Sequence, residues 1–289
     1  MKTKFSRIIA GTMNWGIWGK NHNLKAMSQL ISQCVENGIT SFDHADIYGD
    51  YTTEAEFGNA FLHSTIPREN VQFISKCGIC HKNESRNNRL SHYDYSKAYI
   101  IACVEDSLQK LHTDYLDVLL LHRPSPLMQA DEIAEAITQL QKEGKIRDFG
   151  VSNFTPSQTD LIQSRIKVEC NQIEFSVTHF ETMLDGSLNH MQINGITPMA
   201  WSPLGSVFKI ENQQTDRLKN LLMELMLKYD VSLDVLLFAW IMKHPAGILP
   251  VTGTTTGDRI ANLTRAIDFE LETQDWFALW VASEGKNVP

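Results

Sequence analysis

The sequence predicts a protein of the α/β class, a parallel eight-stranded (β/α)8 TIM barrel with additional helices. Three observations predict it. Eight short apolar runs alternate with helical patterns along the 289 residues. Those runs are apolar on both faces, as strands of a parallel sheet covered by helices are. None of the 16 glycines forms a G-x-G-x-x-G after the first run, which removes the signature of a doubly wound dinucleotide-binding sheet. No Pro/Ser-rich linker divides the chain, and eight such units fit one barrel domain over residues 1–289.

The elements follow in order. "RIIAGTM" (7–13) reads as a strand, and "LKAMSQLISQCVENG" (24–38) as a helix closed by Gly38. "ITSFDHA" (39–45) is a strand and "TEAEFGNAFLHS" (53–64) a helix. "VQFISKCG" (71–78) is a strand, followed by a long polar connection over 77–95 and a helix over 96–112 whose apolar residues recur three and four apart. "YLDVLLLHRP" (115–124) and the helix 130–144 form the fourth unit, and "IRDFGVSN" (146–153) with a short helix from "TPSQTDLIQSR" the fifth. "KVECNQIEF" (167–175), "ITPMAWSPLG" (196–205) and "GILPVTG" (247–253) complete the strands, with helices over 215–230, 232–245 and 257–268.

Composition narrows the function. The net charge of −8 argues against broad nucleic-acid or anionic-membrane binding. Five scattered cysteines are not a disulfide framework, and no segment approaches the 18 uninterrupted apolar residues of a membrane span. With no apolar signal run at the N-terminus, the expectation is a soluble cytoplasmic protein.

Chemistry in such a barrel sits at the C-terminal ends of the strands. Asp43 ends the second strand, Lys76 the third and His122 the fourth, so an acid, a base and an imidazole converge on one rim. Tyr48 lies five residues beyond Asp43 in a loop able to fold back over them. A tyrosine near an ammonium has its phenolate favoured and its pKa lowered. Asp43 would keep Lys76 charged, His122 would orient a substrate oxygen, and Tyr48 would donate a proton to an oxygen developing alkoxide character. No side chain supplies hydride, so carbonyl reduction on this rim needs a cofactor.

These residues resemble the aldo-keto reductase family, in a little-characterised bacterial branch. The resemblance rests on "FDHADIYG", "ISKCG", "LLLHRP", "GKIRDFGVSNF", "NQIEFS" and "WSPLG", in family order along nearly the whole chain. It implies reduction of an aldehyde or ketone by NADP(H), with NAD(H) as the alternative cofactor, a small-molecule carbonyl substrate and a monomer. Asp43, Tyr48, Lys76 and His122 become the catalytic set. Ser152, Asn153 and Gln172 would hold the nicotinamide carboxamide, and Trp201 would stack on its ring, where the family more often has tyrosine or phenylalanine. Ser202, Leu204 and Ser206 would run along the pyrophosphate, while Gly11, Thr12 and Met13 line the cofactor side. At the adenosine end Gly253 and Thr254 stand where many members have lysine and serine. Arg259 remains to grip a 2′-phosphate, and Asn262 is the candidate adenine contact.

Other readings compete. His44, Asp46 and His122 could ligate a metal, but alternation turns His44 away from the barrel interior if Asp43 and Ala45 face it. Cys77-x-x-Cys80 follows Lys76 at a rim and does not open a helix, as a thioredoxin-type redox motif does. A different class of function is a regulatory subunit that holds the cofactor with little turnover. Trp15, Trp18, Tyr51 and the loop 77–95 are expected to wall the substrate pocket.

Overall fold

The computed structural model describes residues 3–83 and 86–287. Ten strands are present: β1 (Ile9–Gly11), β2 (Ser41–Asp43), β3 (Gln72–Cys77), β4 (Ile79–Cys80), β5 (His92–Tyr93), β6 (Leu116–Leu121), β7 (Ile146–Ser152), β8 (Cys170–Glu174), β9 (Thr197–Trp201) and β10 (Leu249–Thr252). Eight of them close a barrel in the order β1-β10-β9-β8-β7-β6-β3-β2, every pairing parallel. These are the eight strands the sequence predicts, trimmed by a few residues at their ends.

Strand parity divides the apolar side chains into two layers. Ile9, Ile74, Val118, Leu120, Cys170, Met199, Leu249 and Val251 fill the barrel interior. Ile8, Ala10, Phe42, Phe73, Leu119, Leu121 and Phe149 point outward into the larger core beneath the helices. Gly150 is dictated by this packing: a Cβ there would come within 2.5 Å of Cys170 Sγ and 2.7 Å of Leu120 Cδ2. The same parity places the rim. Gly11 pairs with Asp43, Asp43 with Ile74, and Lys76 with Leu120. Counting by two from the interior residues, Asp43, Lys76 and His122 all fall on the inner side at the carboxyl ends.

The helices Leu24–Glu36, Thr53–Ser64, Lys97–Leu111, Ala130–Lys142 and Pro156–Gln163 wrap the outside. The last of these starts at Pro156 behind a Thr155–Gln158 capping box, which explains its sharp onset. The expected final helix over 257–268 is broken into Gly257–Leu263 and Arg265–Asp268.

Three features are not in the sequence reading. The connection 77–95 carries an antiparallel hairpin, β4 against β5, whose two-residue strands are too short to show a period. Gly78 makes its entry possible, with φ of 109° and a Cβ position 2.0 Å from the Tyr95 ring. The helix Ser187–Asn194 buries only Ser187, Leu188 and Met191, too few for a clear stripe. The helix Thr273–Glu284 is held by Trp276, whose ring stacks on Trp240 at 5.0 Å while each indole N–H donates to the other residue's carbonyl. No helix among the described residues is long and apolar enough to cross a membrane.

Candidate active site

The carboxyl ends of the barrel strands open into a cavity of about 570 Å³. At its floor lies Lys76, fully buried, with three partners for its three N–H donors. It donates to Asp43 at 2.8 Å, to the His44 carbonyl at 2.7 Å and to the Tyr48 hydroxyl oxygen at 3.1 Å. Burial opposes a charged lysine, yet Asp43 and the Tyr48 oxygen outweigh it, and the net direction of its pKa is upward. Asp43 in turn accepts from Gln172 Nε2 at 2.8 Å, so both ends of the ion pair are pinned.

Tyr48 begins a single turn, Tyr48–Tyr51, whose Gly49 and Asp50 have positive φ. That kinked backbone folds the phenol back over the rim, as the sequence reading requires. The direction of its pKa is the opposite of the expectation. Burial raises it, Lys76 pulls it down, and burial wins. The phenol is therefore a protonated acid through neutral pH. Because Lys76 donates to its oxygen, the phenolic hydrogen is free to point at something else.

His122 follows Leu121 at the end of β6, its backbone N–H bonded to the Cys77 carbonyl at 3.0 Å. Its ring stands edge-on to Tyr48 at 6.0 Å. Burial, then the charges of Lys76 and Arg123, hold its pKa well below the usual histidine value, so the imidazole is neutral at pH 7. Tyr48, His122 and Asp43 all line the cavity.

A second polar network lies beside this one. Ser152 Oγ donates to the Gln172 carbonyl at 3.0 Å, Asn153 Nδ2 donates to Ser152 Oγ at 2.8 Å, and Trp201 Nε1 donates to Asn153 Oδ1 at 2.9 Å. The last bond exists because residue 201 is tryptophan; a phenylalanine has no such donor, and a tyrosine carries its hydroxyl elsewhere. Asn153 and Ser202 sit at φ of 61° and 52°, held there by the tight turns after β7 and β9.

Of the expected cofactor residues, Gly11, Met13, Ser152, Asn153, Gln172, Trp201, Ser202, Leu204, Gly253, Thr254 and Arg259 line the cavity. Three do not. Thr12 is turned outward by strand parity and bonds the Asp43 carbonyl and His44 Nδ1, each at 3.0 Å. Ser206 binds Thr178 Oγ1 through its backbone N–H. Asn262 spends its amide on Ser232 Oγ and Asp234 Oδ1, and Leu263, one residue on, lines the cavity in its place. Arg259 is exposed, with Asp234 3.8 Å away.

The expected substrate walls also need correction. Trp18 lines the cavity, joined from the hairpin by Ile79 and His81. Trp15 is buried under the helices, its indole N–H bonded to the Thr254 carbonyl. Tyr51 lies behind the hairpin, where its hydroxyl accepts from the His81 N–H and Arg86 covers its ring. His81 and Ile79 belong to the loop 77–95 expected to wall the pocket, whereas the polar lining residues Arg123, Lys209 and Asn14 are not singled out by the sequence. Arg123 adjoins His122 in "LLLHRP", a signal that was available; Lys209 and Asn14 sit in loops with no pattern to mark them.

His44 faces Phe57 and Phe73, as strand alternation requires, at 4.3 and 5.7 Å between ring centres. Among the described residues no His/Cys/Asp/Glu group is arranged to hold a metal. None of the five cysteines forms a disulfide, and all are buried. Asp46 is buried with neither carboxylate oxygen in hydrogen-bonding geometry. Burial, then Cys103 and Glu54, push its pKa well above the usual carboxylate range. An acid whose folded pKa is raised loses stability as pH rises from its unfolded value towards its folded one, by up to about 1.4 kcal/mol per pH unit. Asp46→Asn therefore stabilises the protein at pH 8, and the gain vanishes below pH 4. Thermal unfolding of both proteins across that range checks this; a pH-independent difference would contradict it.

The barrel and its rim define the class. The chain belongs to the aldo/keto reductase family, whose sequence profile matches residues 7–281. It is similar over nearly its whole length to three bacterial proteins. Uncharacterized oxidoreductase YcsN of Bacillus subtilis is 42% identical, covering 99% of this chain and 97% of its own. Oxidoreductase YdhF of Escherichia coli is 37% identical over 99% and 96%. A 6-dehydroglucose reductase of Agrobacterium fabrum is 35% identical over 99% and 97%. Among solved structures, the thermostable aldo-keto reductase Tm1743 shares the fold with a TM-score of 0.82 at 23% identity, covering 98% of this chain and 99% of its own.

Proposed function

We propose that the protein reduces an aldehyde or ketone to an alcohol with NADP(H), Tyr48 donating the proton. The observation that carries this reading is the buried Lys76 ammonium, whose three donors go to Asp43, the His44 carbonyl and the Tyr48 oxygen at the floor of the cavity. That arrangement holds Tyr48 in place and leaves its hydrogen for a substrate oxygen. Neutral His122 can donate to the same oxygen and orient it, a combination worth about 10²–10⁴-fold in rate. Lys76 stabilises the phenolate left behind, and Asp43 keeps Lys76 charged.

The donor set suits a nicotinamide dinucleotide. Ser152, Asn153 and Gln172 offer amide and hydroxyl groups beside the broad face of Trp201, next to the Tyr48–His122 end. Arg259, Thr254 and the turn at Gly253 offer a cation and backbone groups for phosphate at the other end. When bound, the cofactor supplies the hydride that no side chain can. A Bombyx mori aldo-keto reductase, 24% identical over 95% of this chain with a TM-score of 0.76, has been solved in complex with NADP. The relative named 6-dehydroglucose reductase also favours reduction of a carbonyl.

An NADPH-oxidation screen over a panel of aldehydes and ketones, with NADH in parallel, tests the reaction. Turnover with simple aldehydes supports it; tight cofactor binding with negligible turnover across the panel would favour a cofactor-holding regulatory subunit. The assignment of Arg259 has its own test. Arg259→Ala raises the Kd for NADPH about 10–100-fold and that for NADH less than threefold, read by quenching of tryptophan fluorescence. Equal losses would remove Arg259 from the 2′-phosphate.

A further inference from the structure

Among the described residues, Arg123 is the one cation at the reacting end of the cavity that the proton-transfer scheme does not use. It follows His122 directly and lines the same cavity as Tyr48. Its guanidinium sits over the Trp201 ring, 5.5 Å from the centroid. The indole holds the cation without a hydrogen bond, so the planar fork of N–H donors stays available. Among the described residues, no carboxylate lies within ion-pair distance of it. The other arginines bordering the barrel differ: Arg68 and Arg147 meet Asp117, and Arg259 faces Asp234.

Charge around the cavity makes the imbalance plain. Among the described residues its cationic lining is Arg123, Lys209 and Arg259, and its only lining carboxylate is Asp43. Asp43 is spent on Lys76 and Gln172. Lys209 and Arg259 have phosphates to meet if a dinucleotide lies along the cavity. Arg123 has none, because its position is at the opposite end, beside His122 and Trp201. A half-buried guanidinium with free donors and no acidic neighbour favours an anionic partner brought by a ligand. Apolar surface from Trp18, Ile47 and Ile79 borders the same space.

We propose that Arg123 binds a carboxylate on the substrate, so that the preferred substrates are carbonyl acids with an apolar body between the carbonyl and the carboxylate. This rests on the reductase reading above and names its substrate class. The interaction is made before and during the reaction alike, so its loss raises KM far more than it lowers kcat.

The test compares 2-, 3- and 4-carboxybenzaldehyde with their uncharged methyl esters as substrates for NADPH-dependent reduction. The expected result is a kcat/KM at least 10-fold higher for one acid than for its ester. In Arg123→Gln that ratio falls about 10-fold, towards 1, chiefly through KM, and Arg123→Lys keeps part of it. Any influence of Arg123 on Tyr48 or His122 acts on acid and ester alike and cancels in the ratio. Equal kcat/KM for every acid–ester pair in the wild type, or an unchanged ratio in Arg123→Gln, would overturn the proposal while leaving the reductase reading intact. Binding provides the second arm, independent of turnover: benzoate against benzamide, titrated into the NADP⁺ complex by tryptophan fluorescence. An Arg123-dependent preference for benzoate without reduction of any aldehyde would support the anion site and overturn the reaction. Equal binding of benzoate and benzamide overturns the anion site.

Discussion

Tyr48→Phe lowers kcat for carbonyl reduction by about 10²–10⁴-fold and leaves the Kd for NADPH within about twofold. The phenol is the only acid at the cavity floor with its hydrogen uncommitted, since Lys76 donates to its oxygen and takes nothing from it. Removing the hydroxyl deletes that acid and preserves the ring that stands against His122 and Trp18. Retention of more than a few per cent of kcat would show that another group supplies the proton. The pH dependence of the wild type gives an independent check. Burial raises the Tyr48 pKa above 10 despite the pull of Lys76. Reduction, which needs the protonated phenol, is therefore flat through neutral pH and falls only above 10. Alcohol oxidation needs the phenolate, so its rate climbs about tenfold per pH unit over the same neutral range. His122, held well below 6.5, adds no titration between pH 7 and 9. A reduction profile that falls between pH 7 and 8 would contradict this assignment.

That profile could not have been derived from the sequence, and the reason is physical. Period-two alternation and the strand-end rule are local, so the sequence alone places Asp43, Lys76 and His122 on one rim. The same alternation correctly turned His44 outward. It also predicts that Thr12, one residue past inward-facing Gly11, turns outward; grouping 11–13 as a block ignored the pleat. Trp15 and Tyr51 lie between strands, where no period marks their facing: Trp15 packs on Phe42 and Phe57, and Tyr51 packs behind the hairpin. The internal bonds of Asn262 are hidden from the sequence for a similar reason: its partners Ser232 and Asp234 come from another segment, 28–30 residues away. For Tyr48, the neighbouring ammonium is visible in the motif, whereas desolvation depends on the whole fold, and it decides the sign.

Lys76→Met carries the second large effect, in which stability and activity separate. The substitution leaves Asp43 buried with Gln172 as its one remaining side-chain donor, and an unpaired buried charge costs about 3–5 kcal/mol. Asp43→Asn added to Lys76→Met removes that charge, so the double variant is more stable than Lys76→Met alone by about 2 kcal/mol or more. Reduction does not return with it: both proteins turn over at least 10²-fold more slowly than the wild type, because Tyr48 has lost the cation that stabilises its phenolate. Urea midpoints for the wild type, Lys76→Met, Asp43→Asn and the double variant close the cycle, and strictly additive losses would mean that Asp43 and Lys76 are not coupled. The ion pair is intact at every physiological pH. A lysine whose folded pKa is raised contributes its full stabilisation below 10.5 and loses it only as pH rises through the folded value. Buried charge pairs of this kind are often no more stabilising than apolar residues of similar volume. The barrel interior below is apolar, filled by Ile74, Val118 and Leu120 among others, and would accept such a replacement. What Asp43 and Lys76 supply there, and an apolar pair could not, is a fixed positive charge against the oxygen of Tyr48.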